Sequence, residues 1–222
     1  LDPVTDAYSL DNPSLAYHNS RSEYLVVWEG ARHLTGADIY GRRVSADGVS
    51  LGDAFVICGA EGHQFEAHVS YNHTKGQYWV VWRDMRSSEE SHIRARRLSP
   101  TGGFLGDEIV VQASTRYAVD PRVVSSGNRS VIVWTETDYA NVSEVYARSY
   151  DQDGNPLGAA VRLSAAGAPA LMPDIARNTS ADQYLVVWQQ WSNTTHFDIK
   201  ARRISSALGL LGAEITISAQ TG

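Results

Sequence analysis

Runs of four to six branched and aromatic residues alternate along the chain with polar stretches rich in Gly, Asn, Asp and Ser. No segment sustains the 3.6-residue period of a helix. In the first fifty residues, Leu15-Ala16-Tyr17 and Tyr24-Leu25-Val26-Val27-Trp28 flank a polar turn at 18–23. Asp38-Ile39-Tyr40-Gly41-Arg42-Arg43-Val44 then alternates as a half-buried strand does, and Ala54-Phe55-Val56-Ile57 forms a fourth run. Asp47-Gly48, repeated as Asp153-Gly154, is a hairpin-turn pair.

The whole pattern recurs four times. Tyr24 to Trp28 returns as Tyr78-Trp79-Val80-Val81-Trp82, Ser130-Val131-Ile132-Val133-Trp134 and Tyr184-Leu185-Val186-Val187-Trp188. Fourteen residues after each final Trp stands an Arg (Arg42, Arg96, Arg148, Arg202), and ten residues later a Leu-Gly pair ending in Gly52, Gly106, Gly158 or Gly212. A repeat of about 50 residues carrying four short strands is the blade of a β-propeller, because such a sheet buries both faces only by stacking on its neighbours. The expected fold is therefore all-β: a single propeller of four four-stranded antiparallel blades at 12–62, 63–116, 117–168 and 169–222, with residues 1–11 as an N-terminal clasp or spare strand. Three arrangements are open: a four-bladed ring closed by that clasp, a larger array or a pairing with a second copy, and a spare strand added to the edge of another subunit.

The repeated residues have structural tasks. Gly41, Ala95, Ala147 and Ala201 suit a position crowded by a neighbouring sheet. The four Trp pack between blades. The four Arg are expected to tie a backbone carbonyl, a carboxylate or an aromatic face rather than to bind an anion.

Antiparallel topology places the connections between second and third strands on one face of the disc. They are read as nine-residue loops (29–37, 83–91, 135–143, 189–197) of equal length and divergent content, as on a scaffold that presents variable loops. His33, Arg86, Tyr139, Trp191 and His196 are the ligand- or partner-binding candidates, Trp191 as a platform for a sugar ring or an anchor for a partner. No catalytic residue is assigned. Glu136 and Asp138 read as a solvated loop rather than a glycosidase pair. Cys58 lacks an evident His partner, and the sequence has no Gly-rich phosphate loop. His63, His68 and His73, spaced by five, match neither ligation on a helix nor one strand face, and Asp151 to Asn155 reads as a turn rather than a calcium loop, so no metal or cofactor is expected.

Composition changes this picture in three ways. A net charge of −6 argues against nucleic-acid binding through phosphates, and no apolar run is long enough for a membrane helix. One cysteine excludes an internal disulfide framework, and a start at Leu1 rather than Met reads as a processed product or an excised piece. Five Asn-x-Ser/Thr triplets, at Asn72, Asn128, Asn141, Asn178 and Asn193, exceed the one or two expected by chance and fall in predicted turns, where a glycan could be attached.

Tyr24-Leu25-Val26-Val27-Trp28 together with Asp38 to Gly48 resembles the repeats of large secreted or surface bacterial β-propeller proteins, over nearly the whole chain. The resemblance implies a propeller exported from a bacterial or archaeal cell, and no particular activity. The functional expectation is a non-enzymatic extracellular module for interaction or assembly, glycosylated and self-associating through residues 1–10. The alternatives are a carbohydrate-binding propeller using the variable loops and a glycoside-cleaving propeller; the last should show a buried pair of carboxylates in a central funnel.

Overall fold

The computed structural model describes residues 9–32, 36–86, 90–113, 117–138, 140, 142–192 and 196–218. Among them are sixteen strands and no helix. Blade 1 comprises β1 (Ser9–His18), β2 (Glu23–Arg32), β3 (Gly36–Ser45) and β4 (Phe55–Cys58). Blade 2 comprises β5 (His63–Asn72), β6 (Gln77–Met85), β7 (His92–Leu98) and β8 (Ile109–Gln112). Blade 3 comprises β9 (Tyr117–Ser126), β10 (Arg129–Thr137), β11 (Ser143–Tyr150) and β12 (Val161–Arg162). Blade 4 comprises β13 (Ala170–Asn178), β14 (Gln183–Trp191), β15 (Phe197–Ser205) and β16 (Leu210–Ser218). Each blade is an antiparallel meander with its strands in chain order, and the fold is a β-propeller.

The hairpins between second and third strands are longer than expected. β2 and β3 stay paired out to Arg32 and Gly36, with Glu29 opposite Ile39 and Gly30 opposite Asp38. The ladder therefore consumes most of the expected nine-residue loop in blade 1 and its first three residues in the other blades, and Glu29 and its equivalents are strand residues. The reason is the continued side-chain alternation at this end of the sheet, which keeps one member of each successive pair facing a neighbouring blade.

Stacking of the blades produces three apolar cores of one design. Leu25, Val27, Ile39 and Ile57 on the back of blade 1 meet Tyr78, Val80, Trp82 and Leu98 on the front of blade 2. Trp79, Val81, Ile93 and Val111 meet Ile132, Trp134 and Tyr150. Val131, Val133, Val145 and Leu163 meet Tyr184, Val186, Trp188 and Ile204. Period-2 alternation in each second strand sends alternate residues to opposite neighbours. The indole N–H groups of Trp82, Trp134 and Trp188 donate to Asp84, Glu136 and Gln190, two residues on in each strand (3.2, 3.4 and 3.0 Å), so the large rings are buried with their one donor satisfied. In blade 1 that partner position is Gly30, where a Cβ would lie 2.9 Å from the Tyr40 ring, and the buried Trp28 Nε1 has no partner among the described residues.

Two of the four repeated Arg side chains cross the same interfaces. Arg96 Nη1 donates to the Ile57 carbonyl of the preceding blade (2.6 Å) while its guanidinium covers Phe104, and Arg148 Nη1 donates to the Val111 carbonyl (3.2 Å). Arg42 and Arg148 also donate from Nε to Gly52 and Gly158 of their own blades. At Gly41 an added Cβ would come within 2.9 Å of Ile57 Cδ1, which explains the small residue at this point in every repeat.

The inner strands pack in succession, β1 on β5, β5 on β9 and β9 on β13, but no comparable packing among the described residues joins β13 back to β1. The four blades form an arc. Ser9, Leu10 and Asp11 pair with Ala31, Gly30 and Glu29 inside blade 1.

The arc predicts unequal costs for one substitution. Trp134→Ala, in a sealed interface, should destabilise the chain by about 3–5 kcal/mol in denaturant titration. Trp28→Ala, on the uncovered face of blade 1, should cost less than half as much in dilute solution.

Candidate functional site

Each inner strand carries a bulge near its start, where one residue adopts a left-handed backbone: Asn12 (φ 48°), Glu66 (58°), Asp120 (53°) and Met172 (53°). The registers skip there, between Asp11 and Ser14, Phe65 and His68, and Leu171 and Asp174, and opposite Val133 to Thr135 in blade 3. Left-handed backbone in non-glycine residues is uncommon and persists where surroundings hold it, often where a side chain must be re-aimed. Here the four residues stand at equivalent points around the axis.

Their surroundings form a ladder across the blades. Glu29 accepts the Asn12 amide (2.9 Å) and the Glu66 backbone N–H (2.7 Å). Glu66 Oε2 accepts the Asp120 N–H (2.7 Å) and Oε1 accepts from Arg83 (3.2 Å). Asp120 in turn accepts the Met172 N–H. A cavity of about 230 Å³ opens beside this ladder, lined by Asn12, Ser14, Glu66, His68, Asp120 and Arg122 among others.

The electrostatics separate the two acids. Burial, then the nearby charge of Glu66, pushes the Asp120 carboxyl above the usual aspartate range, against the opposing pull of Arg122 and Arg83. Glu66 carries the ion pair to Arg83. Burial also raises Glu29, which the two donors only partly offset. His68 is driven down to about 4, first by burial and then by Arg122. Its Nδ1 accepts the Val123 N–H (3.3 Å), so the neutral ring carries its hydrogen on Nε2. An acid whose carboxyl is raised by burial, beside a second acid ion-paired to Arg83 and with a neutral imidazole in the same wall, is an arrangement suited to proton transfer and to stabilising developing positive charge.

The residues singled out in the sequence lie elsewhere. Arg86 is bound by Glu108 (2.6 Å) and Asp84 (3.1 Å), in a cluster that also ties Arg94 and Arg96 to Glu108. Trp191 closes β14 and packs edge-on against Phe197, at 4.7 Å between ring centres, on the back of blade 4 rather than at the axis. The His196 carbonyl accepts the Ser192 N–H across the same turn. His33, Tyr139, Asn141 and Asn193 lie outside the described residues. Asn128 and Asn178 are exposed. Asn72 is a correction: it is fully buried, and its amide nitrogen donates to Ser125, Gly127 and Gln152, so it is no glycan acceptor in the folded chain. Burial pushes the Cys58 thiol up to about 11, which keeps it protonated and unreactive. His63 accepts the Ala37 N–H, His68 faces the axial cavity and His73 bonds Asn19, so the three histidines are separated. Asp151 bonds Asp153 and Asn155 within its own turn.

No protein-family model and no curated protein sequence matches the chain. Solved structures share its fold. A neuraminidase-like protein of a little yellow-shouldered bat isolate from Guatemala superposes with a TM-score of 0.64 at 8% identity, over 95% of this chain and 61% of that one. An endo-arabinase from Bacteroides thetaiotaomicron gives 0.57 at 13% identity, over 94% and 81%. An α-L-arabinofuranosidase from Lactobacillus brevis gives 0.59 at 12% identity, over 92% and 71%. The chain thus spans under two thirds of the bat protein's length. The expectation of a non-enzymatic assembly module is corrected here: the solved structures that share the fold include several glycoside-cleaving enzymes.

His68 supplies a stability test. Its depressed value means that the folded chain resists protonation where the unfolded chain accepts it. The stability it contributes is present above about pH 6.5 and is lost as pH falls towards 4, by at most about 3 kcal/mol. In His68→Gln, denaturant titrations across that window should show a flatter pH dependence than wild type.

Proposed function

We propose that this chain acts on carbohydrate, cleaving a glycosidic bond at the mouth of the axial cavity. The observation that carries the reading is the pair Asp120 and Glu66 in the wall of one cavity, with the Asp120 carboxyl pushed above the usual aspartate range by burial and by Glu66. Asp120 gives its proton to the departing glycosidic oxygen. Glu66 stabilises the positive charge that develops on the sugar and assists the incoming water, which supplies the hydroxyl of the product and returns a proton to solvent. Asn12 offers an amide to sugar hydroxyls, and the exposed Met172 offers an apolar contact to a ring face. The arabinose-directed solved structures support arabinofuranosyl glycans as the first substrates to try. An extracellular setting fits such polymers, and the exposed Asn128 and Asn178 are compatible with it.

Hydrolysis of arabinan and of a panel of 4-nitrophenyl glycosides tests the reading. Asp120→Asn and Glu66→Gln should each lower kcat by at least about 100-fold. Asp120→Asn should remain as stable as wild type at neutral pH, because the amide keeps the shape and the acceptor oxygen at a position where burial disfavours charge. The alkaline limb of the pH–rate profile should fall above the ordinary aspartate range. Sugar binding without turnover, or turnover indifferent to both variants, would overturn it.

A further inference from the structure

A second cavity, of about 280 Å³, opens between blades 3 and 4 at the end of β9 and β13 remote from Asp120 and Met172. Its walls carry Ser126, Asn128, Arg129, Arg177, Asp182 and Tyr184. That volume is near the roughly 300 Å³ at which small-molecule sites begin.

The cavity exists because the repeat is broken there. In blades 1, 2 and 4 the hairpin between first and second strands closes on the pairs His18–Glu23, Asn72–Gln77 and Asn178–Gln183, with four residues in the turn. In blade 3 it closes on Ser126–Arg129, with only Gly127 and Asn128 between them. In the preceding interface the equivalent space is filled by Gln152, whose side-chain oxygen accepts from the amides of Asn72 and Gln77 (3.2 and 2.8 Å). Its counterpart in blade 4 is the shorter Ser206. Each follows the residue whose N–H closes the turn after the third strand, Asp151 on Asn155 and Ser205 on Gly209.

Two cations stand at this gap, in positions where no other blade has one. Arg129 takes the place of Glu23, Gln77 and Gln183, and Arg177 that of Tyr17, Tyr71 and Ser125. Arg177 donates from Nη1 to the Ser126 hydroxyl across the interface and from Nη2 to Asp182 (2.7 Å), and its buried Nε has no partner. No ion pair or hydrogen bond holds the half-buried Arg129 guanidinium among the described residues. Asp182 is the one carboxylate among the lining residues, so the wall carries one positive charge in excess.

We infer that this cavity binds the carboxylate of an acidic sugar, a uronate residue. One excess charge matches a monoanion, and a guanidinium suits a planar carboxylate gripped by two parallel hydrogen bonds. The Ser126 hydroxyl, which accepts from Arg177, keeps its hydrogen for an incoming oxygen, and Asn128 adds an amide for the sugar hydroxyls. The carboxylate site stands on its own geometry; the choice of a sugar as the carrier rests on the carbohydrate reading above.

Calorimetric titration with sodium glucuronate tests this without any turnover. Wild type should bind it saturably, with an affinity that falls as salt rises, and should bind glucose at least about tenfold more weakly. Inorganic sulfate and phosphate should also bind more weakly than glucuronate. Arg129→Gln removes an unpaired charge and should weaken glucuronate binding by about tenfold or more, with the circular dichroism spectrum unchanged. Asp182→Asn removes the competing carboxylate and should tighten binding several-fold, which a merely structural role would not do. Asp120→Asn, at the axial cavity, should bind glucuronate as wild type does, so failure here is distinct from failure of glycoside cleavage. Absent or non-saturable binding, equal affinity for glucose, tighter binding of sulfate or phosphate, or an affinity indifferent to both Arg129→Gln and Asp182→Asn would each overturn the inference. Loss of binding in Asp120→Asn would overturn it as well, by placing the sugar at the axis.

Discussion

Face-to-face packing of one twisted sheet on the next is the constraint from which the other features follow. A four-stranded meander with an apolar set on each face has no stable existence alone. Trp82, Trp134 and Trp188 fill the space between adjacent sheets, and a charged or amide side chain two residues on takes the indole hydrogen. Blade orientation is then set by rigid rings and by the Arg side chains that reach back to the preceding blade's last strand. Interiors packed at this density transmit position with little slack. Side chains on four separate sheets can therefore be held in register around one axis.

The axis shows how that rigidity is used. Four residues are kept in a left-handed backbone, which costs on the order of 1–3 kcal/mol each. Each of the last three places its N–H on an acidic side chain of the blade before it: Glu66 on Glu29, Asp120 on Glu66, Met172 on Asp120. The same carboxylates thus tie the blades and line the cavity. This double duty explains why Glu66 and Asp120 come close enough for the charge of one to bias the protonation of the other. It also explains why acids are tolerated in so enclosed a place, since backbone N–H groups and Arg83 satisfy them.

Much of the fold was legible because its repeat is written in identical residues: the Val-Trp pair of each second strand, the Arg fourteen residues on and the Gly ten beyond. The axial site was not, because its positions hold four different residues. Asn12, Glu66, Asp120 and Met172 precede their Trp by 16, 16, 14 and 16 residues, and three of the four are followed by Pro. That spacing is present in the sequence, but the apolar run that marks the first strand of blade 1 begins only at Leu15, so Asn12 at the blade's start carries no pattern of its own. Arg86 stands out in the sequence as a loop cation, yet its partner Glu108 precedes β8, 22 residues on, and nothing local in the sequence brings the two together. Asn72 looked like an exposed turn residue; its inward direction depends on Ser125 and Gln152 of the next blade. The curvature of the arc arises from the angle between stacked sheets, which a count of repeats does not contain.

The central claim is that blade stacking buries Asp120 against the charge of Glu66. Carbon-detected NMR titration of the Asp120 carboxyl, in wild type and in Glu66→Gln, measures this directly. The account predicts a midpoint above the ordinary aspartate range in wild type and a clear fall when the Glu66 charge is removed. An ordinary midpoint, unmoved by that substitution, would contradict it.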